Sequence, residues 1–185
     1  MIALGLDLSL TGTGWAVVDT NTGRIGVDVV KTSPRDGDIL TRIRLIAERV
    51  PVLADLAAVE GPSFGSAGNA IHQLSGLWWL VRDKLDRLDV PVAVVAPGQL
   101  KQYATGNGNA PKVALGQALG TRLGDRAPLV RDDNACDAVW LALIAAHRLI
   151  GAPMVRLPKT HTAALTKVQW PQLPSDDHEV VGVES

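Results

Sequence analysis

Apolar and polar positions alternate at the start of the chain. Leu4, Leu6 and Leu8 share one face of an extended segment, and Gly5, Asp7 and Ser9 share the other. A tight Gly/Thr turn separates this strand from a second over Thr13 to Asp19, and Thr20-Asn21-Thr22-Gly23 leads into a third from Arg24 to Lys31. The three make an antiparallel meander. After the loop Ser33-Pro34-Arg35-Asp36-Gly37-Asp38, the spacing of Leu40, Ile43, Ala47 and Val50 predicts a helix to about Leu53, with Asp38 as its N-cap candidate. Leu56 to Glu60 is a short apolar strand stopped by Gly61-Pro62.

From Ala70 to about Leu88 the pattern predicts a helix with more large apolar residues than one face uses. Leu74, Trp78, Val81 and Leu85 form a stripe suited to a sheet. Leu77, Trp79 and Leu80 are surplus, which fits either a subunit interface or a deep single core. Val90 to Val95 is a continuous apolar run of the kind that parallel strands show. A short helix from Pro97 to Tyr103 breaks at Thr105-Gly106-Asn107-Gly108-Asn109, and Pro111 opens another that runs to Leu123. The last helix starts in Asp132-Asp133-Asn134-Ala135-Cys136-Asp137, with its body from Ala138 to Ile150. Beyond Gly151-Ala152-Pro153 the periodicity stops. The expectation is one domain over residues 1–151 and an extended or partly disordered tail over 152–185.

Composition leaves this picture in place. The 185 residues are 46% hydrophobic and 20% charged, ordinary for a soluble domain with a substantial core. No apolar run approaches the ~20 residues of a membrane helix, no signal peptide is evident at Met1-Ile2-Ala3-Leu4, and Cys136 is the single cysteine. The expectation is a reducing cytoplasm, no membrane partner and a small buried thiol at Cys136. A net charge of −1 argues at first against nucleic acid. Without the acidic tail, residues 1–158 carry 16 basic and 15 acidic side chains, and metal-bound acids would leave the remaining surface more basic still.

The acids are the informative charges. Asp7 and Glu60 are each the lone charge in an apolar strand, where an unpaired carboxylate is costly unless something cationic meets it. Asp137 lies one turn inside an apolar helix, and Asp133 and Asn134, four and three residues earlier, share its face. Asp132 is accounted for as the N-cap. In α/β sheets such groups gather where strands end and helices start. Clustered carboxylates repel unless metal neutralises them, and hard oxygen donors select Mg²⁺ or Mn²⁺. Two such ions about 4 Å apart suit in-line phosphodiester hydrolysis with no covalent intermediate. Lys112, at a helix start behind a Gly/Asn-rich loop, is placed to meet phosphate. Phe64, alone in a Gly/Ser loop, is either a core plug or a base-stacking wedge.

These pieces resemble the RuvC family of Holliday-junction resolvases within the RNase H-like (retroviral integrase) superfamily. The resemblance is carried by Gly5-Leu6-Asp7-Leu8-Ser9 with Thr13-Gly14-Trp15-Ala16, by Val59-Glu60, by Pro97-Gly98-Gln99-Leu100-Lys101 through Gly106-Asn107-Gly108 to Lys112, and by Asp137-Ala138. It implies an RNase H-like α/β fold, with a mixed five-stranded sheet whose strands 1–3 are antiparallel and which helices flank. It implies a homodimeric endonuclease that nicks opposed strands of a four-way junction symmetrically, with two Mg²⁺ per active site and Mn²⁺ as a substitute. Asp7, Glu60 and Asp137 then fall on the metal ligands, Lys112 on a lysine beside the scissile phosphate, Lys101 among the DNA contacts, and Phe64 near the junction-wedge aromatic.

One departure stands out. The family places an acid three residues before its last Asp, where this chain has Asn134; Asp133 reaches the same face and keeps the charge, so it is the expected fourth ligand with Asn134 the alternative. Three other readings compete. A sugar-kinase-like or actin-like ATPase needs a second domain for which 185 residues leave no room. A non-catalytic DNA-structure binder would retain buried acids without use for them. An RNA–DNA hybrid nuclease shares the chemistry and differs in substrate.

Overall fold

Pairing of strands Ile2–Asp7 (β1), Gly12–Asp19 (β2), Ile25–Lys31 (β3), Leu56–Glu60 (β4) and Val92–Val95 (β5) makes one mixed sheet in the order β3-β2-β1-β4-β5. The structure is a computed structural model that describes residues 1–61, 69–127, 130 and 132–173. β1 to β3 are the expected antiparallel meander, and β4 and β5 join it in parallel. β5 starts two residues later than its apolar run, just after Pro91, which has no N–H to give a ladder.

The pleat assigns each face its helices. Leu4, Leu6 and Leu8 pack with Ala57, Val59 and Val92 against helices Ile39–Arg49 (α1) and Asn69–Asp86 (α2). The opposite face, with Ala3, Ala16 and Ala58, is covered by helix Asp133–Ile150 (α5), whose residues from Ala135 to Ala146 are all buried. Helices Pro97–Thr105 (α3) and Lys112–Leu123 (α4) complete that layer.

Two details differ from the periodicity. α1 ends at Arg49 rather than about Leu53, because Val50 precedes Pro51 and is driven to extended backbone with ψ 126°. Lys84 of α2 caps that end, donating to the carbonyls of Ala47, Glu48 and Val50. In α2, Leu77 is fully buried beside Val81 and Leu85, so it belongs to the core. Trp79 stays 67% exposed.

Residues 152–173, expected to be extended or partly disordered, fold back on α3. Lys159–Thr162 (α6) and a 3-10 turn over Ala163–Lys167 bury His161 and Ala164, and Gln169 bridges to Val94 of β5. Val155, Val168 and Leu173 enter the same core. Helices this short show no periodicity in sequence and are held by long-range contacts. Among the described residues no helix is long and apolar enough to cross a membrane.

Candidate active site

Asp7 and Glu60 end neighbouring strands. The parallel register pairs Leu6 with Val59, so the next step along both strands puts the two carboxyls side by side on one face, where they hydrogen-bond each other. The antiparallel partner of Asp7 is Gly14, which has no side chain to cover it.

That face belongs to α5, and two glycines let the helix come close. A Cβ on Gly5 would collide with the backbone of Ala138 and Ala142, and one on Gly14 with the backbone of Asn134 and Ala135. The helix therefore lies directly on β1 and β2 and delivers Asp137 beside Asp7. The sequence signal for this was Gly5 and Asp7 sharing one strand face. Asp132 is the N-cap of α5, accepting from the Asn134 N–H at 2.9 Å.

Burial dominates the electrostatics. Asp7 and Asp137 are each only 7% exposed. Burial first, then the Glu60 charge and the shared hydrogen bond, pushes Asp7 up to about 7, and the charge of Asp132 adds to this. Burial, then the Asp7 charge, pushes Asp137 up to about 7, with Asp133 contributing. Glu60 is raised by burial and by the charge of Asp137, while its bond with Asp7 works the other way. The charge of Lys112 opposes the shift at all three carboxyls, and that of Lys101 at Glu60 and Asp137.

Lys112 is the first residue of α4 and shares a cleft of about 240 Å³ with Asp133, Cys136 and Asp137. Burial holds the Cys136 thiol up at about 12, so it stays a neutral apolar neighbour. Asp133 is exposed on this wall. Asn134 faces β2 instead, its Nδ2 3.0 Å from where a Cβ on Gly12 would stand. Phe64 lies outside the described residues. Composition gave no warning of Lys31, whose Nζ meets Asp132 at 3.6 Å and links β3 to the start of α5.

The structure thus brings Asp7, Glu60, Asp137, Asp133, Lys112 and Lys101 to one corner. Among the described residues no three acidic, histidine or cysteine side chains stand close enough to hold an ion as they are. The donor set nevertheless fits a hard divalent cation: buried oxygen donors carry like charge that the two lysines only partly offset.

No protein-family model matches the chain. It is 32% identical over 184 residues to the crossover junction endodeoxyribonuclease RuvC of Bifidobacterium longum, covering 92% of this chain and 91% of that one. Among solved structures it is similar to Thermus thermophilus RuvC, with TM-score 0.66 and 26% identity over 84% of this chain and all of the other. It superposes with TM-score 0.65 on the same organism's RuvC in complex with a Holliday junction substrate, at 24% identity, again over 84% of this chain and all of the other.

Proposed function

The chain belongs to the RuvC family of crossover junction endodeoxyribonucleases, and on that basis we propose that it resolves four-way DNA junctions by metal-dependent hydrolysis of two opposed phosphodiester bonds. The observation that carries the reading is the meeting of Asp7, Glu60 and Asp137 opposite Lys112 at one corner of the sheet.

Asp7, Glu60 and Asp137 would hold Mg²⁺, or Mn²⁺ in its place, with Asp133 as the fourth carboxylate. When bound, two such ions supply positive charge at the scissile phosphate and lower the pKa of water toward neutrality. The chain's own groups do the rest. Ionised Asp7 and Asp137 are the binding form, so the buried pair releases its protons as the site loads. Lys112, on the opposite wall of the cleft, meets a non-bridging phosphate oxygen and orients it. Lys101 offsets the charge of the acids that an incoming DNA backbone would otherwise feel. Asp133 rather than Asn134 supplies the fourth group, because its charge acts on Asp137 from the cleft wall whereas Asn134 packs toward Gly12.

Two nicks on a two-fold substrate need two sites related by the same symmetry. The exposed Trp79 on α2, with half-buried Leu80 beside it, is the surface on which two copies pair. The working compartment is the cytoplasm, where chromosomal or phage DNA is found.

The test is cleavage of a labelled junction in Mg²⁺ and in excess EDTA by the native chain, Asp7→Asn and Glu60→Gln. Cleavage is expected in Mg²⁺ alone and in the native chain alone, with junction binding by both variants equal or tighter. Full cleavage in EDTA would overturn the metal assignment.

A further inference from the structure

We propose that Gln102 is a positioning residue for Lys112, and that the folded-back segment of residues 159–169 is the anchor from which it acts. The inference rests on the reading of Lys112 as the phosphate-orienting group.

Two glutamines one turn apart on α3 make the same kind of bridge. Gln99 accepts from the Ala96 N–H at 2.8 Å and donates to the Lys167 carbonyl at 2.8 Å. Gln102 accepts from the Gly108 N–H at 3.1 Å and donates to the Thr160 carbonyl at 2.9 Å. In each, the donor end is held by the C-terminal segment and the acceptor end holds a main-chain amide. The amides differ in what they control. Ala96 is the cap of α3 itself, whereas Gly108 belongs to the loop that leads into Lys112.

That loop is stiff, so fixing Gly108 also fixes the residues between it and α4. Asn107 accepts from the N–H groups of Asn109, through Oδ1, and of Ala110, through its carbonyl, at 3.0 and 3.1 Å. Ala110 is buried, and Pro111 has φ locked at −68° directly before Lys112. The loop has also been brought tight against its support. A Cβ on Gly108 would stand 3.2 Å from the Gly98 carbonyl oxygen, and one on Gly106, at φ +82°, 2.7 Å from His161 Nε2. His161 is itself buried and donates from Nδ1 to the Tyr103 carbonyl at 2.9 Å, which sets segment and loop in one frame. Lys112 has a long flexible stem, so its usefulness depends on where its Cα is held.

The experiment is single-turnover cleavage at saturating junction in Mg²⁺ by Gln102→Ala, Gln99→Ala, Gln102→Glu, Lys112→Ala and the Gln102→Ala/Lys112→Ala double variant. Junction affinity and melting temperature are read alongside. Gln99→Ala removes as many anchor bonds as Gln102→Ala and leaves the loop alone, so the two should lose melting temperature alike. Only Gln102→Ala should slow cleavage, by about ten- to a hundredfold with affinity unchanged. Gln102→Glu keeps an acceptor for Gly108 and loses the donor to Thr160, and should be as slow as the alanine variant. On the Lys112→Ala background, Gln102→Ala should add less than about twofold. A native rate in Gln102→Ala or Gln102→Glu while Lys112→Ala is slow overturns this inference alone, as do effects that multiply in the double variant. A native rate in Lys112→Ala overturns the role of Lys112 and this inference with it.

Discussion

At the scale of the residue, the acids make predictions that a merely structural cluster would not. Asp7 and Asp137 sit at about 7 instead of their ordinary 3.8. A raised carboxyl contributes stability that is fully present below about 4 and lost as pH rises through about 7, since over that range the unfolded chain has given up protons that the native state still holds. The metal-free protein should therefore melt higher at pH 5 than at pH 8, and Mg²⁺ should restore stability at pH 8. Asp7→Asn should flatten that slope. The comparison with this variant cancels other groups, such as His147, whose half-buried imidazole is lowered by desolvation and acts in the opposite direction. Equal slopes in the two proteins would contradict the account. Asp133 and Asn134 divide in the same way. Because Asp132 already caps α5, Asp133 is free of that duty, and Asp133→Asn should cut cleavage by orders of magnitude with little change in melting. Asn134→Ala should be mild. Reversed results would make Asn134 the ligand.

Among the elements, α5 decides whether a site exists at all, and the glycines beneath it decide where α5 lies. Gly14→Ala would drive a Cβ into the backbone of Asn134 and should cost about 1–3 kcal/mol along with most of the cleavage. Gly26→Ala, on the open edge strand β3 with nothing within 4 Å, should change neither. Denaturant midpoints and junction cleavage of both variants check this. The contrast between these glycines also shows how far the sequence was legible. Alternation identified β1 to β3, and the lone charges at Asp7 and Glu60 marked the site, because both signals are local. That Gly5 and Gly14 are contact surfaces for a helix more than a hundred residues away is not local: Gly5 read as one position on a strand face and Gly14 as part of a Gly/Thr turn. Trp79 was legible as an exposed surplus residue. Leu77 was not, since only packing decides which side of a crowded helix faces the sheet.

For the whole molecule, the C-terminal segment is the largest departure from the pattern. Its buried Val155, His161, Ala164, Val168 and Leu173 come from a stretch without periodicity, in which the one-turn helix α6, a 3-10 turn and single contacts replace longer elements. Truncation after Pro158 should lower the melting temperature and loosen the loop before Lys112. A truncated chain with native melting and native cleavage would make the segment dispensable. Junction resolution is an act of the assembled protein on DNA. Its most direct test maps the products from a mobile four-way junction and from an RNA–DNA hybrid, each incubated with the native chain in Mg²⁺. Paired nicks at symmetry-related positions of the junction and an intact hybrid are expected. A cut hybrid with an untouched junction, or junction nicks without symmetry, would contradict junction resolution.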